Sequence, residues 1–136
     1  MLDQNAYNHQ LIEDFRASRG KESKPLNGRP LLLLTTIGAR SDQLRTTPLM
    51  YIPDGEHLLI IASNAGAPKH PDWYHNLVAH PRVTVEVGNE TYEATAHVIE
   101  GPERESLWKR IVELYPFFIE HQEKITRQIP IVALER

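Results

Sequence analysis

Residues 82–100 read "RVTVEVGNETYEATAHVIE", and the reading of this stretch decides the fold. Val83, Val85 and Val87 alternate with Arg82, Thr84 and Glu86, which is the two-residue period of a strand with one buried face. Gly88-Asn89 interrupts the pattern and "ETYEATAHVIE" resumes it, so the spacing predicts two antiparallel strands joined by a tight turn. On the N-terminal side, "TPLMYI" (47–52) and "HLLIIAS" (57–63) flank "PDGE", whose Asp54-Gly55 is a strong hairpin signal, so these two segments are expected to pair as well. Further out, "LLLLTTI" (Leu31–Ile37) is continuously apolar and then β-branched between Pro30 and Gly38, as in a strand buried on both faces. "IPIVALE" (129–135) closes the chain as a sixth strand. Six short strands, mostly hairpin-linked, favour a mainly antiparallel sheet that curls into a small barrel, because closure removes exposed edges.

Helical periodicity appears at three places: before the first strand, between the third and fourth, and before the last. From Asp3, a usable N-cap, Tyr7, Leu11, Ile12 and Phe15 recur at three- to four-residue spacing up to Gly20, with Arg16 and Arg19 at the negative end of the helix dipole. That apolar stripe leaves three placements open: on the barrel, over a site, or against a membrane surface. "KESKPLNGRP" (21–30) is charged and rich in turn formers, as a solvated connector would be. A short helix carries Trp73, Tyr74, His75 and Asn76 after the third strand. Gly101-Pro102 opens another, on which Leu107, Trp108, Ile111 and Leu114 share a face, and Pro116 should break it so that Phe117, Phe118, His121 and Ile125 start afresh. The expected class is α+β, one domain over residues 1–136, with an N-terminal helix at 1–20 and a barrel at 31–135.

Bulk composition excludes several functions. With 15 Lys and Arg against 18 Asp and Glu, a formal net charge of −3, no global field points to nucleic acid or an anionic membrane. Any anion site must therefore be local. The absence of cysteine removes disulfides, thiolate metal sites and a Cys nucleophile, and fits a reducing, cytoplasmic compartment. No run reaches the ~18 apolar residues of a membrane span. His70, His75 and His80 are evenly spaced, but a five-residue step turns about 140° around a helix, so they do not share a metal-binding face, and no metal is expected.

Three constellations carry chemistry. The segment "TTIGARSDQLRTTPL" (35–49) reads as a loop too long for a tight hairpin, offering Arg40 and Arg45 beside Ser41, Thr46 and Thr47; guanidinium forks and hydroxyls suit a phosphate or carboxylate. It lacks the Gly-Lys-Ser/Thr of a P-loop, and two arginines in a polar loop are more often a solvated surface. "ASNAGAPKHPDWYHNL" (62–77) opens with residues of almost no bulk, which let backbone N–H groups approach a ligand, and Lys69 adds a cation; equally, small residues serve packing at a helix entry. Trp73 by itself reads as core. Around Pro116, Tyr115, Phe118 and His121 fall at three-residue steps and form a candidate wall over a planar substrate.

Taken in order, "LLLLTTIGARSDQLRTTPLMYI", "ASNAGAPKHPDWYHNL", "HPRVTVEVGNETYEA" and "IPIVALE" resemble the deazaflavin (F420)-dependent nitroreductase and quinone reductase family over residues 31–135. The resemblance implies a split β-barrel like that of FMN-binding oxidoreductases, and hydride transfer from reduced coenzyme F420 to a quinone or nitroaromatic-like acceptor. It assigns cofactor binding to Arg40, Ser41 and Arg45, to Thr47, Pro48 and Leu49, and to Ile61, Ser63, Asn64, Ala67, Lys69, Trp73 and Asn76. It assigns the substrate face to Tyr115, Phe118 and His121, with Tyr115 as proton or hydrogen-bond donor. Here Ala39, Asp42 and Asn64 stand where relatives carry a basic residue, a glycine and a lysine. FMN in place of F420, and a non-catalytic carrier of a planar ligand, are the alternatives; a homodimer and weak membrane-surface contact stay open.

Overall fold

The computed structural model describes residues 4–18 and 30–136, with side chains from residue 8. The candidate N-cap Asp3, Arg19, Gly20 and residues 21–29 of the connector lie outside the described residues, as does the side chain of Tyr7. In chain order the elements are α1 (Gln4–Ala17), β1 (Leu31–Ile37), β2 (Leu44–Met50), β3 (Ile52–Asp54), β4 (His57–Ile61), a single 3-10 turn at Asn64–Gly66, α2 (Asp72–Ala79), β5 (Arg82–Val87), β6 (Glu90–Val98), α3 (Gly101–Leu114), α4 (Phe117–Glu123) and β7 (Ile131–Glu135).

One antiparallel sheet runs in the order β2-β1-β5-β6-β7-β4-β3. It has seven strands rather than the six expected, because the 47–52 segment is divided. Thr47 to Met50 belong to β2 and pair with β1, whereas Ile52 crosses to β4. At the break, the Tyr51 N–H donates to the Pro30 carbonyl, 3.2 Å away. An alternating pattern does not record such a bend, since the residues on both sides stay extended. The break also closes the barrel. β2 and β3 occupy opposite ends of the sheet order, yet Tyr51 alone separates them, and one residue spans at most about 3.5 Å. The two ends must therefore meet at that corner.

The segment read as a long loop at 35–49 is a hairpin instead, with Ile37 opposite Leu44 and a turn of residues 38–43. Pro48 is tolerated in β2 because that strand is an edge, with β1 as its one partner in the sheet.

Alternation on β1 sorts its leucines. Leu32 and Leu34 face the barrel interior with Val83, Val85, Ala94, Ala96, Ile60, Val132 and Leu134, while Leu31 and Leu33 receive Phe15 and Ile12 of α1. Both faces are thus buried, as the uninterrupted run predicts. Leu11 and Phe15 are 4% and 2% exposed, so these two residues of the α1 stripe are buried within the protein itself. Opposite it, Leu59, Ile131 and Ala133 turn outward onto Ile111 of α3 and Phe118 of α4.

Candidate functional site

The strand registers bring one set of strand ends to a common rim. Ile37 lies opposite Leu44, Thr35 opposite Thr84, Arg82 opposite Thr95, Val98 opposite Val132, and Ile131 opposite Ile61. From this rim leave the 38–43 turn, the 62–71 segment, the start of α3 after β6, and the 124–130 approach to β7. The two segments offered by sequence as anion contacts therefore stand on the same end of the barrel.

Helix α2 links them. It is eight residues long, roughly 12 Å at 1.5 Å per residue, and follows directly on the 62–71 segment. Near its other end, buried Asn76 donates from Nδ2 to Thr36 Oγ1 (3.1 Å) and accepts at Oδ1 from the Ala39 N–H (2.9 Å). His80, the C-cap, lies with Nε2 3.6 Å from Asp42 Oδ1. Within the turn, the Gly38 N–H donates to the Gln43 carbonyl (2.7 Å), the Asp42 N–H to the Gly38 carbonyl (2.9 Å), and the Gln43 N–H to Ser41 Oγ (3.2 Å). A Cβ at Gly38 would displace the Ser41 hydroxyl from its place in the turn and approach the Gln43 carbonyl to 3.2 Å. Asp42 has φ 57°, a left-handed value that favours glycine.

The 62–71 segment is held from the opposite side. Arg127 donates to the carbonyls of Ala62 (3.1 Å), Ser63 (2.9 Å) and Ala67 (3.0 and 3.3 Å), and its Nη1 lies 3.1 Å from His70 Nδ1. Gln122 of α4 in turn donates to the Arg127 carbonyl (2.8 Å) and accepts from the Ile129 N–H (3.0 Å). Gly66, at φ 80°, sits so close to α4 that a Cβ would meet the His121 backbone at 3.3 Å. Smallness at Gly66 thus serves contact with α4, while Asn64, Ala65 and Pro68 remain exposed on the other side.

Charge is distributed unevenly over the arginines. Among the eight described, Arg16, Arg82, Arg110 and Arg136 each pair with a carboxylate, and Arg104 and Arg127 donate to carbonyls. Arg40 and Arg45 are exposed at the rim and, among the described residues, engage no acid. Lys69 is likewise exposed, and its carbonyl accepts from Asn64 Nδ2 at 3.0 Å. Burial lowers the pKa of His70, with Arg127 and then His75 adding to the effect. His121 is lowered too, by burial and then by Lys124, and its Nδ1 is buried without a partner among the described residues.

Of the residues singled out from sequence, Arg40, Ser41, Arg45, Ser63, Asn64, Ala67 and Lys69 lie on or beside the two rim segments. Thr47, Pro48 and Leu49 run along β2 half-buried, Leu49 against the barrel interior. Three others are engaged elsewhere. Trp73 is 7% exposed and belongs to the interior cluster, and Ile61 packs with the cluster under α3 and α4. Phe118, expected on the substrate face, is 3% exposed among Ile52, Leu59, Ile111, Ile131 and Ala133. Tyr115 and His121 are half-buried, whereas Phe118, a phenyl ring at the start of α4, has an apolar pocket to fill. Arg127 was missed: in "EKITRQIP" it reads as one more solvated cation, and nothing local announces carbonyls sixty residues away.

The donor set on this rim fits a ligand with an anionic tail, since two guanidinium groups there are not neutralised internally. Comparison with known proteins gives the family. The family model described as F420H(2)-dependent quinone reductase matches residues 9–136. An F420H(2)-dependent quinone reductase of Mycobacterium tuberculosis is 38% identical over 126 residues, covering 90% of this chain and 85% of the relative. Among solved structures, an F420-H2 dependent reductase (FDR-A) is 44% identical with a TM-score of 0.70, covering 79% of this chain and 95% of its own. Another, described as a domain-swapped dimer, is 36% identical with a TM-score of 0.73, covering 98% of this chain and all of its own. The chain belongs to the F420H(2)-dependent quinone reductase family.

Proposed function

We propose that this protein transfers a hydride from reduced coenzyme F420 to a quinone, with the 38–43 turn and the 62–70 segment holding the cofactor. The observation that carries the assignment of the site is the pair of unneutralised arginines, Arg40 and Arg45, on the rim shared with the 62–70 segment. When bound, reduced F420 supplies the hydride, and the quinone is the electrophile. The chain supplies position and charge. Arg40 and Arg45 hold the anionic tail, with Lys69 as a third cation; Ser41 and the exposed backbone of Asn64 and Ala65 offer hydrogen bonds near it. Asn76 fixes the turn on which Arg40 stands, through Thr36 and Ala39. Tyr115 and His121 line the acceptor side, and the Tyr115 hydroxyl is the hydrogen-bond or proton donor to the reduced quinone oxygen. His121, its pKa lowered by burial, is neutral at neutral pH and adds no charge beside an uncharged acceptor.

Fluorescence titration with F420 and FMN side by side tests the cofactor, and a Kd for FMN as low as for F420 would defeat it. Arg45→Ala is expected to raise the Kd for F420 at least about tenfold, the ~1.5–3 kcal/mol range of a charge-assisted hydrogen bond. An unchanged Kd would remove Arg45 from the site. A homodimer is the assembly we propose, on the likeness to the domain-swapped relative; light scattering at micromolar concentration checks it.

A further inference from the structure

Arg127 carries a role that its sequence context hides. Its guanidinium has five N–H donors, and all five are accounted for: Nε to the Ala67 carbonyl, Nη2 to the carbonyls of Ser63 and Ala67, and Nη1 to the Ala62 carbonyl and to His70 Nδ1. The acceptors lie on both sides of a turn whose backbone is held in an uncommon shape. Asn64, Ala65 and Gly66 have φ values of 50°, 54° and 80°, three consecutive residues in the left-handed half, two of them with a Cβ. Such strain persists where surrounding contacts over-determine it. Here those contacts are the Arg127 fork on one side and the α4 backbone against Gly66 on the other.

The direction of the carbonyls matters as much as their number. In a trans peptide, C=O and the following N–H point opposite ways, so drawing the Ala62 and Ser63 carbonyls onto Arg127 turns the Ser63 and Asn64 N–H groups to the far side of the turn. Ser63 is right-handed (φ −75°, ψ −28°) and Asn64 has positive φ, a sequence of conformations that makes successive N–H groups converge on an anion or a carbonyl oxygen. The guanidinium itself faces the protein and is not a cofactor contact.

We propose that Arg127 is the positioning residue of the cofactor segment, its five donors fixing the 63–66 turn with the Ser63 and Asn64 N–H groups presented to the bound F420. The proposal rests on the F420 reading above. His70 takes part as the fourth acceptor: with Nδ1 facing a guanidinium N–H the ring is neutral and carries its proton on Nε2. Lysine cannot replace the fork, since an ammonium has three donors and no planar geometry.

Arg127→Lys keeps the charge and tests the fork; Arg127→Ala, alone and with millimolar guanidinium chloride, tests its restoration. Three quantities are measured on each: the Kd for F420 by fluorescence, KM for reduced F420 against kcat at saturation, and peptide-level amide exchange. In Arg127→Lys we expect a Kd and KM raised at least tenfold with kcat within threefold, and exchange accelerated at residues 62–67 with β1 and β5 unchanged. Guanidinium should recover part of the affinity of Arg127→Ala. Wild-type Kd in Arg127→Lys, or exchange raised uniformly over the barrel, overturns the proposal while leaving the F420 reading in place. A wild-type protein that binds no F420 overturns both.

Discussion

At the scale of single residues, the site depends on polar side chains whose work is internal. Asn76 is buried and uses both ends of its amide, so Asn76→Ala leaves the Ala39 N–H and the Thr36 hydroxyl without partners. The expected loss is about 1–3 kcal/mol of stability, read from urea unfolding, with weaker F420 binding because the turn bearing Arg40 is released. His70 gives the molecule a pH dependence of defined sign. Its pKa is lowered below the ordinary value of 6.5, chiefly by burial and then by Arg127, so the unfolded chain binds a proton that the folded chain refuses. Its contribution to stability is full above about pH 6.5, the unfolded value, and is lost as pH falls from there through the lower folded-state pKa; His121, lowered for the same first reason, acts in the same direction. The urea midpoint should therefore be lower at about pH 5.5 than at about pH 7.5. His70→Asn, which keeps a side-chain acceptor for Arg127 but does not titrate, should reduce the difference. Phe118 teaches the converse lesson at this scale: residue type suited a flat ligand, and burial placed it in the core.

Among the elements, the contact between α4 and the Asn64–Gly66 turn sets how the rim is assembled. Gly66→Ala meets two penalties, the left-handed φ and the approach to the His121 backbone and the Lys124 side chain. Gly88→Ala, in the β5–β6 turn at φ 58° with open space around it, meets the first alone. The backbone term is ~1–2 kcal/mol for each. Gly66→Ala should exceed Gly88→Ala by at least about 1 kcal/mol in thermal or urea unfolding, the cost of overpacking, and equal losses would mean that α4 yields freely. The helices follow their own signals: Pro102 begins α3, Tyr115 caps it, and Pro116 separates it from α4. Hence Tyr115 stands at a break between two helices, its ring half-buried beside Phe117.

Over the whole molecule, stability resides in the interior of the curled sheet and the two outer layers. Leu32 is fully buried within the barrel, and Leu32→Ala should cost about 2–5 kcal/mol. Leu44, at the rim and 72% exposed, is expected to tolerate alanine within about 0.5 kcal/mol. Urea unfolding of the two variants side by side checks the assignment of inside and outside. The closure at Tyr51 makes the rim continuous, so that the 38–43 turn and the 62–70 segment stand at the two ends of one short helix despite belonging to strands far apart in the sheet order.

Alternating valines, the Gly88-Asn89 turn, the leucine run of β1 and the Pro116 break were legible in the sequence because each is a local consequence of backbone period or backbone restriction. So were the rim cations and the family motifs, which are strings of neighbouring residues. What only the tertiary structure decided is non-local: the bend that passes one strand segment to both ends of the sheet, the burial of Phe118, and the burial of Leu11 and Phe15 of α1. The fork of Arg127 belongs with these. Its acceptors lie about sixty positions earlier in the chain, and a hydrogen bond between residues so far apart leaves no mark on either segment's pattern until folding brings them within 3 Å.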